Sequence, residues 1–261
     1  MPVAIHPQAV IEDGAFLDEN VTVDCGAIVR KDVRIGKNTS VGPYSVIEGH
    51  TTIGSDCKIF SHAIIGSEPQ DLKYQGVTSY VTIGNNNIIR EFVTINPGTE
   101  EGDYTVVGDN NLIMAYSHLA HNCVLGNNCV LANAATLAGY VQVGDHVIVG
   151  GLTAIHQFTR VGAYTIMGGC SKVVQDTPPF SICDGHPAVV RGVNIVGLKR
   201  KGFSSQALKS LRAAFKIMFF SSLPLHSAVE RLKAEDLLSC IEVQHLVEFT
   251  KQSKRGVCRP K

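Results

Sequence analysis

Residues 118–157 read HLAHNCVLGNNCVLANAATLAGYVQVGDHVIVGGLTAIHQ. Apolar residues return every sixth position: Leu119, Leu125, Leu131, Leu137, Val143, Val149 and Ile155. A period of six matches neither a helix at 3.6 nor a flat strand at 2. It is the spacing of hexapeptide coils, in which short strands wind into a prism. Stepping outward in the same phase from Ile5 to Val173, every position is apolar except Asp71 and Glu101. Glycine often follows the apolar residue, as at Gly36, Gly54, Gly108 and Gly126. This predicts that glycine forms the corners between strands.

Three hexapeptides make a triangular turn, so residues 18 apart should stack, about 4.8 Å between backbones. The two failures of phase lie in SEPQDLKYQGVTS and PGTEEGDYT, both polar and rich in turn formers. They predict loops near 67–80 and 96–106, with 81–95 returning to the prism. Long ordered loops tend to carry function. Pro178 and Pro179 should end the winding.

From Gly197 the period changes. Leu208, Leu211, Phe215, Met218 and Phe219 mark one helical face, capped near Ser204 or Ser205 and broken by Pro224. Further helices are expected over roughly 225–238 and 240–252. The fold is therefore read as mainly β: a parallel β-helix over 1–190 and a C-terminal α-helical domain over 191–261. The helical end is basic, with 13 Lys or Arg against 5 Asp or Glu in residues 198–261, while the whole chain is neutral. An anionic partner is implied. Nucleic acid is not, because the basic residues lack interleaved aromatics.

No run has the roughly 18 apolar residues of a membrane span, and the N-terminus lacks the pattern of a signal peptide. Eight cysteines without CxxC pairs suit a reducing cytoplasm. Cys123 and Cys129 read as small buried hydrophobes. His6, His50 and His62 are expected at the surface or in corners.

The 18-residue rule gathers His118, His121, Gly139, Tyr140, His156 and Gln157 on one edge of the prism, within roughly two coil spacings, or 10 Å. Such an edge suits a general base. Zinc shared between coils is the alternative, but no carboxylate or cysteine falls in ligand phase, so no metal is expected.

The chain resembles, over essentially its full length, the UDP-N-acetylglucosamine acyltransferases of lipid A biosynthesis. The segments that carry the resemblance are QDLKY (70–74), SHLAHNCVLGN (117–127), LANAATLAG (131–139), GGLTAIHQF (150–158), GGCS (168–171), VVQDTPPF (173–180) and GVNIVGLKRKGFS (192–204). The resemblance implies a left-handed β-helix and a homotrimer with active sites between subunits. It also implies transfer of a 3-hydroxyacyl group from acyl carrier protein to the 3-position of UDP-N-acetylglucosamine, with no cofactor. By the same resemblance His121 is the general base and the Gly139 amide donates to the oxyanion. Gln70 and Asp71 hold the sugar, and Lys73 reaches the neighbouring site. His118, His156 and Gln157 position sugar and acyl chain, Asn194 and Arg200 serve the nucleotide, and Gly169 lines the far end of the acyl groove. The basic helical end would receive the acidic carrier protein.

Three positions depart from the family's pattern: Asn122 where an acid usually follows the base, Tyr140 where histidine is common, and Val196 where an acid is common. Asn122 and Tyr140, 18 apart, are expected to stack and to orient His121 through a neutral hydrogen bond. Two other readings fit the repeat alone: an acetyl-coenzyme A-dependent sugar acetyltransferase, and a non-catalytic hexapeptide scaffold.

Overall fold

The computed structural model describes residues 3–260; Met1, Pro2 and Lys261, at the ends of the two expected segments, lie outside the described residues. The chain winds as a left-handed parallel β-helix whose two-residue strands stack into three sheets. The first face runs from Ala4–Ile5 to Ile166–Met167, the second from Val10–Ile11 to Lys172–Val173, and the third from Phe16–Leu17 to Arg160–Val161.

The apolar period is the core. On the third face Ile35, Ile53, Ile83, Val107, Leu125, Val143 and Val161 pair in unbroken register, each 3% exposed or less. Each such side chain contributes about 1.5–3 kcal/mol by leaving water.

The corners differ from the sequence expectation. Gly36, Gly54, Gly108 and Gly126 do not adopt positive φ. The left-handed residues come two positions later, at Asn38, Asp56, Asn110 and Asn128, with φ of 58–59°. Asn and Asp tolerate that conformation because their short side chains bond locally. Glycine is needed for a different reason. A Cβ on Gly36 would sit 2.8 Å from the Gly54 carbonyl carbon on the next coil, and one on Gly108 would sit 2.8 Å from the Gly126 oxygen. The glycines let coils approach each other.

The 18-residue rule also fails where the loops leave. Lys58 pairs with Ile88, an offset of 30, and Ile88 with Leu112, an offset of 24. The loops therefore add 12 and 6 residues. Both are multiples of the period, which is why Asp71, Val77 and Glu101 fall in phase without belonging to the prism. The strands Tyr80–Ile83 and Tyr104–Val107 begin earlier than expected.

Pro178 and Pro179 turn a corner and do not end the sheet. Ser181–Gly185 pairs in parallel with Ile166–Met167, and Ala188–Val193 returns antiparallel to it. Four helices follow: α1 Ile195–Arg200, α2 Ser205–Met218, α3 Leu225–Ala234 and α4 Ile241–Lys251. α2 begins where expected, with the Ser204 hydroxyl accepting from Ala207 N–H at 3.0 Å. Pro224 opens α3; α2 has already ended at Met218. α3 is shorter than expected, and a 3₁₀ turn covers Leu237–Ser239. The hairpin and α1 were not legible, because their mixed polarity follows no single period. Among the described residues no helix is long and apolar enough to cross a membrane.

Candidate active site

His118 opens one strand of the second face, His118–Leu119, and His121 sits in the corner that leads to the third. The stacking rule holds here, beyond both loops. His118 pairs with Thr136, the Tyr140 N–H donates to the His121 carbonyl, and the Phe158 N–H donates to the Gly139 carbonyl. His121, Gly139 and Gln157 therefore climb one edge. The His121 ring lies against Gly139. A Cβ there would come within 2.5 Å of Nε2, so only glycine leaves the ring room.

The same position on the edge between the third and first faces is closed. There the Asn85, Asp109 and Asn127 N–H groups donate to the side chains of Asp109, Asn127 and Asp145 at 2.6–2.7 Å. Above Gly139 stands the exposed Gln157, and among the described residues the Gly139 N–H makes no hydrogen bond. It is an open donor beside an imidazole.

The imidazole is oriented. Its Nδ1 lies 2.9 Å from Asn122 Oδ1. That oxygen only accepts, so Nδ1 carries a proton, and in the neutral ring Nε2 keeps its lone pair. The sequence reading paired Asn122 with Tyr140 directly; here Thr99, from the second loop, stands between them. Thr99 Oγ1 donates to Asn122 Oδ1 at 3.1 Å and lies 3.2 Å from the Tyr140 hydroxyl. Tyr140 meets His121 edge to face, ring centres 5.3 Å apart, and stacks on Phe158.

A carboxylate does reach the histidines, contrary to the expectation from phase. Asp71 arrives from the first loop with Oδ2 3.8 Å from His121 Nε2. Its other oxygen accepts the Lys73 N–H at 2.9 Å, which fixes the carboxylate. The Lys73 and Gln70 side chains are exposed. His118 bonds Thr94 Oγ1 through Nδ1 at 2.7 Å. Burial, and then the neighbouring His121, hold its pKa below the ordinary histidine value. His156 and Gln157 are exposed, with His156 Nδ1 3.1 Å from the Gln157 carbonyl.

Other candidates lie off this edge. Gly169 stacks over Gly151 on the edge between the first and second faces, exposed, with the Gly151 oxygen 3.2 Å from where its Cβ would be. Asn194 is 5% exposed and caps α1: its oxygen accepts from Gly197 N–H and its nitrogen donates to the Tyr164 carbonyl. Arg200 is exposed in the last turn of α1. One protomer thus gathers Asp71, His118, His121, Asn122, Gly139 and Tyr140, but not Gly169, Asn194 or Arg200. Thr99 and Asp103, which bond Asn122, were missed by sequence reasoning. The only signal was the loop's failure of phase, which points to Glu101.

The family described as UDP-N-acetylglucosamine O-acyltransferase, domain 2, matches residues 176–258. The bacterial transferase hexapeptide family matches 14–49, 32–67 and 104–139. The chain is 48% identical to an acyl-[acyl-carrier-protein]–UDP-N-acetylglucosamine O-acyltransferase of Thermodesulfovibrio yellowstonii over 98% of this chain and 99% of the relative. It is 45% identical to the Campylobacter lari protein of the same name, over 97% and 95%. Among solved structures, UDP-N-acetylglucosamine acyltransferase from Campylobacter jejuni superimposes with a TM-score of 0.92 at 43% identity, covering 98% of this chain and all of that one.

Proposed function

The chain belongs to the acyl-[acyl-carrier-protein]–UDP-N-acetylglucosamine O-acyltransferase family, and we propose that it moves a 3-hydroxyacyl group from acyl carrier protein to the 3-position of UDP-N-acetylglucosamine, the first step of lipid A biosynthesis. The observation that carries this reading is the pairing of an oriented imidazole, with Nε2 free, and an open N–H at Gly139.

In this reading Nε2 of His121 takes the proton of the sugar 3-hydroxyl as its oxygen attacks the thioester carbonyl. The oxyanion of the tetrahedral intermediate receives the Gly139 N–H. Collapse breaks the carbon–sulfur bond, and the imidazolium returns its proton to the departing thiolate of the carrier. Asp71, facing Nε2, holds the sugar with Gln70. His118, kept neutral by burial, with His156 and Gln157, positions sugar and acyl chain.

The working unit is a homotrimer, with the prism over 1–190 carrying the base and the segment 191–261 carrying the nucleotide and carrier contacts. The edge bearing Gly169 also presents Tyr44, Phe92, Tyr116 and Leu152, each 43–67% exposed. Such a stripe is costly in water. Packed on a neighbour's His121 edge, it would bring Gly169, Asn194 and Arg200 of one protomer to the base of the next, with Lys73 reaching across. The excess positive charge of 198–261, including the exposed Lys199, Arg200 and Lys201, suits an acidic carrier protein. The eight free thiols suit a cytoplasmic location.

His121→Ala is expected to stay folded and to lose roughly 10²–10⁴-fold in kcat, the usual worth of a general base. The assay compares acyl carrier protein with coenzyme A donors. A kcat within a few-fold of wild type removes His121 as base, and equal use of coenzyme A thioesters removes the carrier-protein assignment.

A further inference from the structure

We propose that Asp103, carried in by the second loop, is the acid of this active site, acting on His121 through Asn122 as a positioning residue. The proposal rests on His121 being the base and assigns what holds that base in its working tautomer.

Asn122 alone does not determine that tautomer. A primary amide has an accepting end and a donating end of nearly the same shape. With its oxygen toward His121, Nδ1 carries the proton and Nε2 is the base. With the amide reversed, its nitrogen would donate to Nδ1, the ring proton would move to Nε2, and the base would be lost. What selects between the two is the partner on the far side. Asn122 Nδ2 donates to Asp103 Oδ2 at 2.7 Å. A carboxylate only accepts, so the nitrogen must face it. The Thr99 N–H, which only donates, points at Asn122 Oδ1 from 3.2 Å and enforces the same orientation.

Asp103 is itself fixed. Its Oδ2 also accepts the Glu100 N–H at 3.2 Å, its N–H donates to the Glu100 carbonyl, and its carbonyl accepts from Tyr80. Gly98 has no Cβ because one would overlap Asp103. Asn122 is pinned from beneath by Thr105 Oγ1, which accepts its N–H at 2.8 Å. No cation pairs with Asp103 among the described residues. Its charge polarises the Asn122 amide and so strengthens the oxygen that receives Nδ1–H as His121 becomes an imidazolium. The acid missing from position 122 is supplied one hydrogen bond further out.

The test is a reciprocal swap in the full-length enzyme. Asp103→Asn is expected to lower kcat by roughly 10- to 100-fold, the usual cost of losing such an outer partner, with KM for the sugar nucleotide little changed. Asn122→Asp alone sets two carboxylates against each other and is also expected to lose activity. In the double variant Asp103→Asn, Asn122→Asp, a carboxylate accepts directly from Nδ1 while the amide introduced at position 103 donates to it. It should be several-fold more active than either single variant. Nitrogen NMR of the His121 ring should report the proton on Nδ1 in the wild type and its partial move to Nε2 in Asp103→Asn. Glu101→Ala, which removes the acceptor of Thr78 N–H in the same loop, should leave kcat within about two-fold if loop anchoring is not what Asp103 provides. Full activity in Asp103→Asn, losses that simply multiply in the double variant, an unchanged ring tautomer, or an equal loss in Glu101→Ala would each overturn the proposal. His121→Ala measured alongside separates outcomes: a loss there with none in Asp103→Asn sinks the relay and leaves the base assignment standing.

Discussion

Two edges of the same prism, built from the same repeat, end in opposite states. On the edge between the third and first faces, Asn85, Asp109, Asn127 and Asp145 form a ladder in which each side chain takes the N–H of the coil beneath. On the edge between the second and third faces, the same position holds His121, Gly139 and Gln157, and the Gly139 N–H is left open. The backbone is the same on both edges. A repeating coil can therefore set an open N–H beside an imidazole by withholding one acceptor, with no change in the winding.

The largest effect that would break this contrast comes from Gly139→Ala. Its Cβ would come within 2.5 Å of Cε1 and Nε2 of the His121 ring. A side-chain rotation that gives up the Asn122 bond can relieve this clash, so the fold should survive, but the imidazole would be displaced. A misplacement of about 1 Å is worth roughly 100-fold in rate. Activity close to wild type with an unchanged thermal transition would mean that the ring does not work against Gly139.

Gly169→Met probes the third edge, between the first and second faces. Its added side chain points away from the protomer, with only the Gly151 backbone nearby. If that edge closes the acyl groove of a neighbouring subunit, donor preference should shift toward shorter 3-hydroxyacyl chains, because overfilling a packed groove is penalised. Competition between donors of different length measures this, and an identical profile would take Gly169 out of the groove.

The smallest effect is expected on the closed edge. Asn127→Ala removes the acceptor of Asp109 N–H and should cost about 1 kcal/mol of stability, with kcat unaltered. Thermal unfolding and the transfer assay together check this. A drop in kcat would show that the two edges are not independent.

Much of this was legible in the residues. The inward apolar positions from Val23 to Val173, and the stacking of His121, Gly139 and Gln157, follow from one period and one strand spacing. The glycines were visible but misassigned. The period says where glycine is required, while only the packed coils distinguish a left-handed turn from a close approach, and they choose the approach at Gly36 and Gly108. The break assigned to Pro178 and Pro179 was read from local chain stiffness. It yields to a sheet edge that could still accept Ser181–Gly185.

What the sequence determined by itself is whatever repeats, because a side chain that recurs every six residues meets the same surroundings on each coil. What only the tertiary structure decided is whatever leaves the repeat and returns. The loops insert 12 and 6 residues without disturbing the phase, so no count along the chain reveals where they travel. Asp71 reaches Nε2 of His121 from one loop, and Thr99 and Asp103 reach Asn122 from the other. Their positions depend on loop paths fixed by individual hydrogen bonds, such as Lys73 to Asp71 and Thr78 to Glu101, and a period carries no information about those.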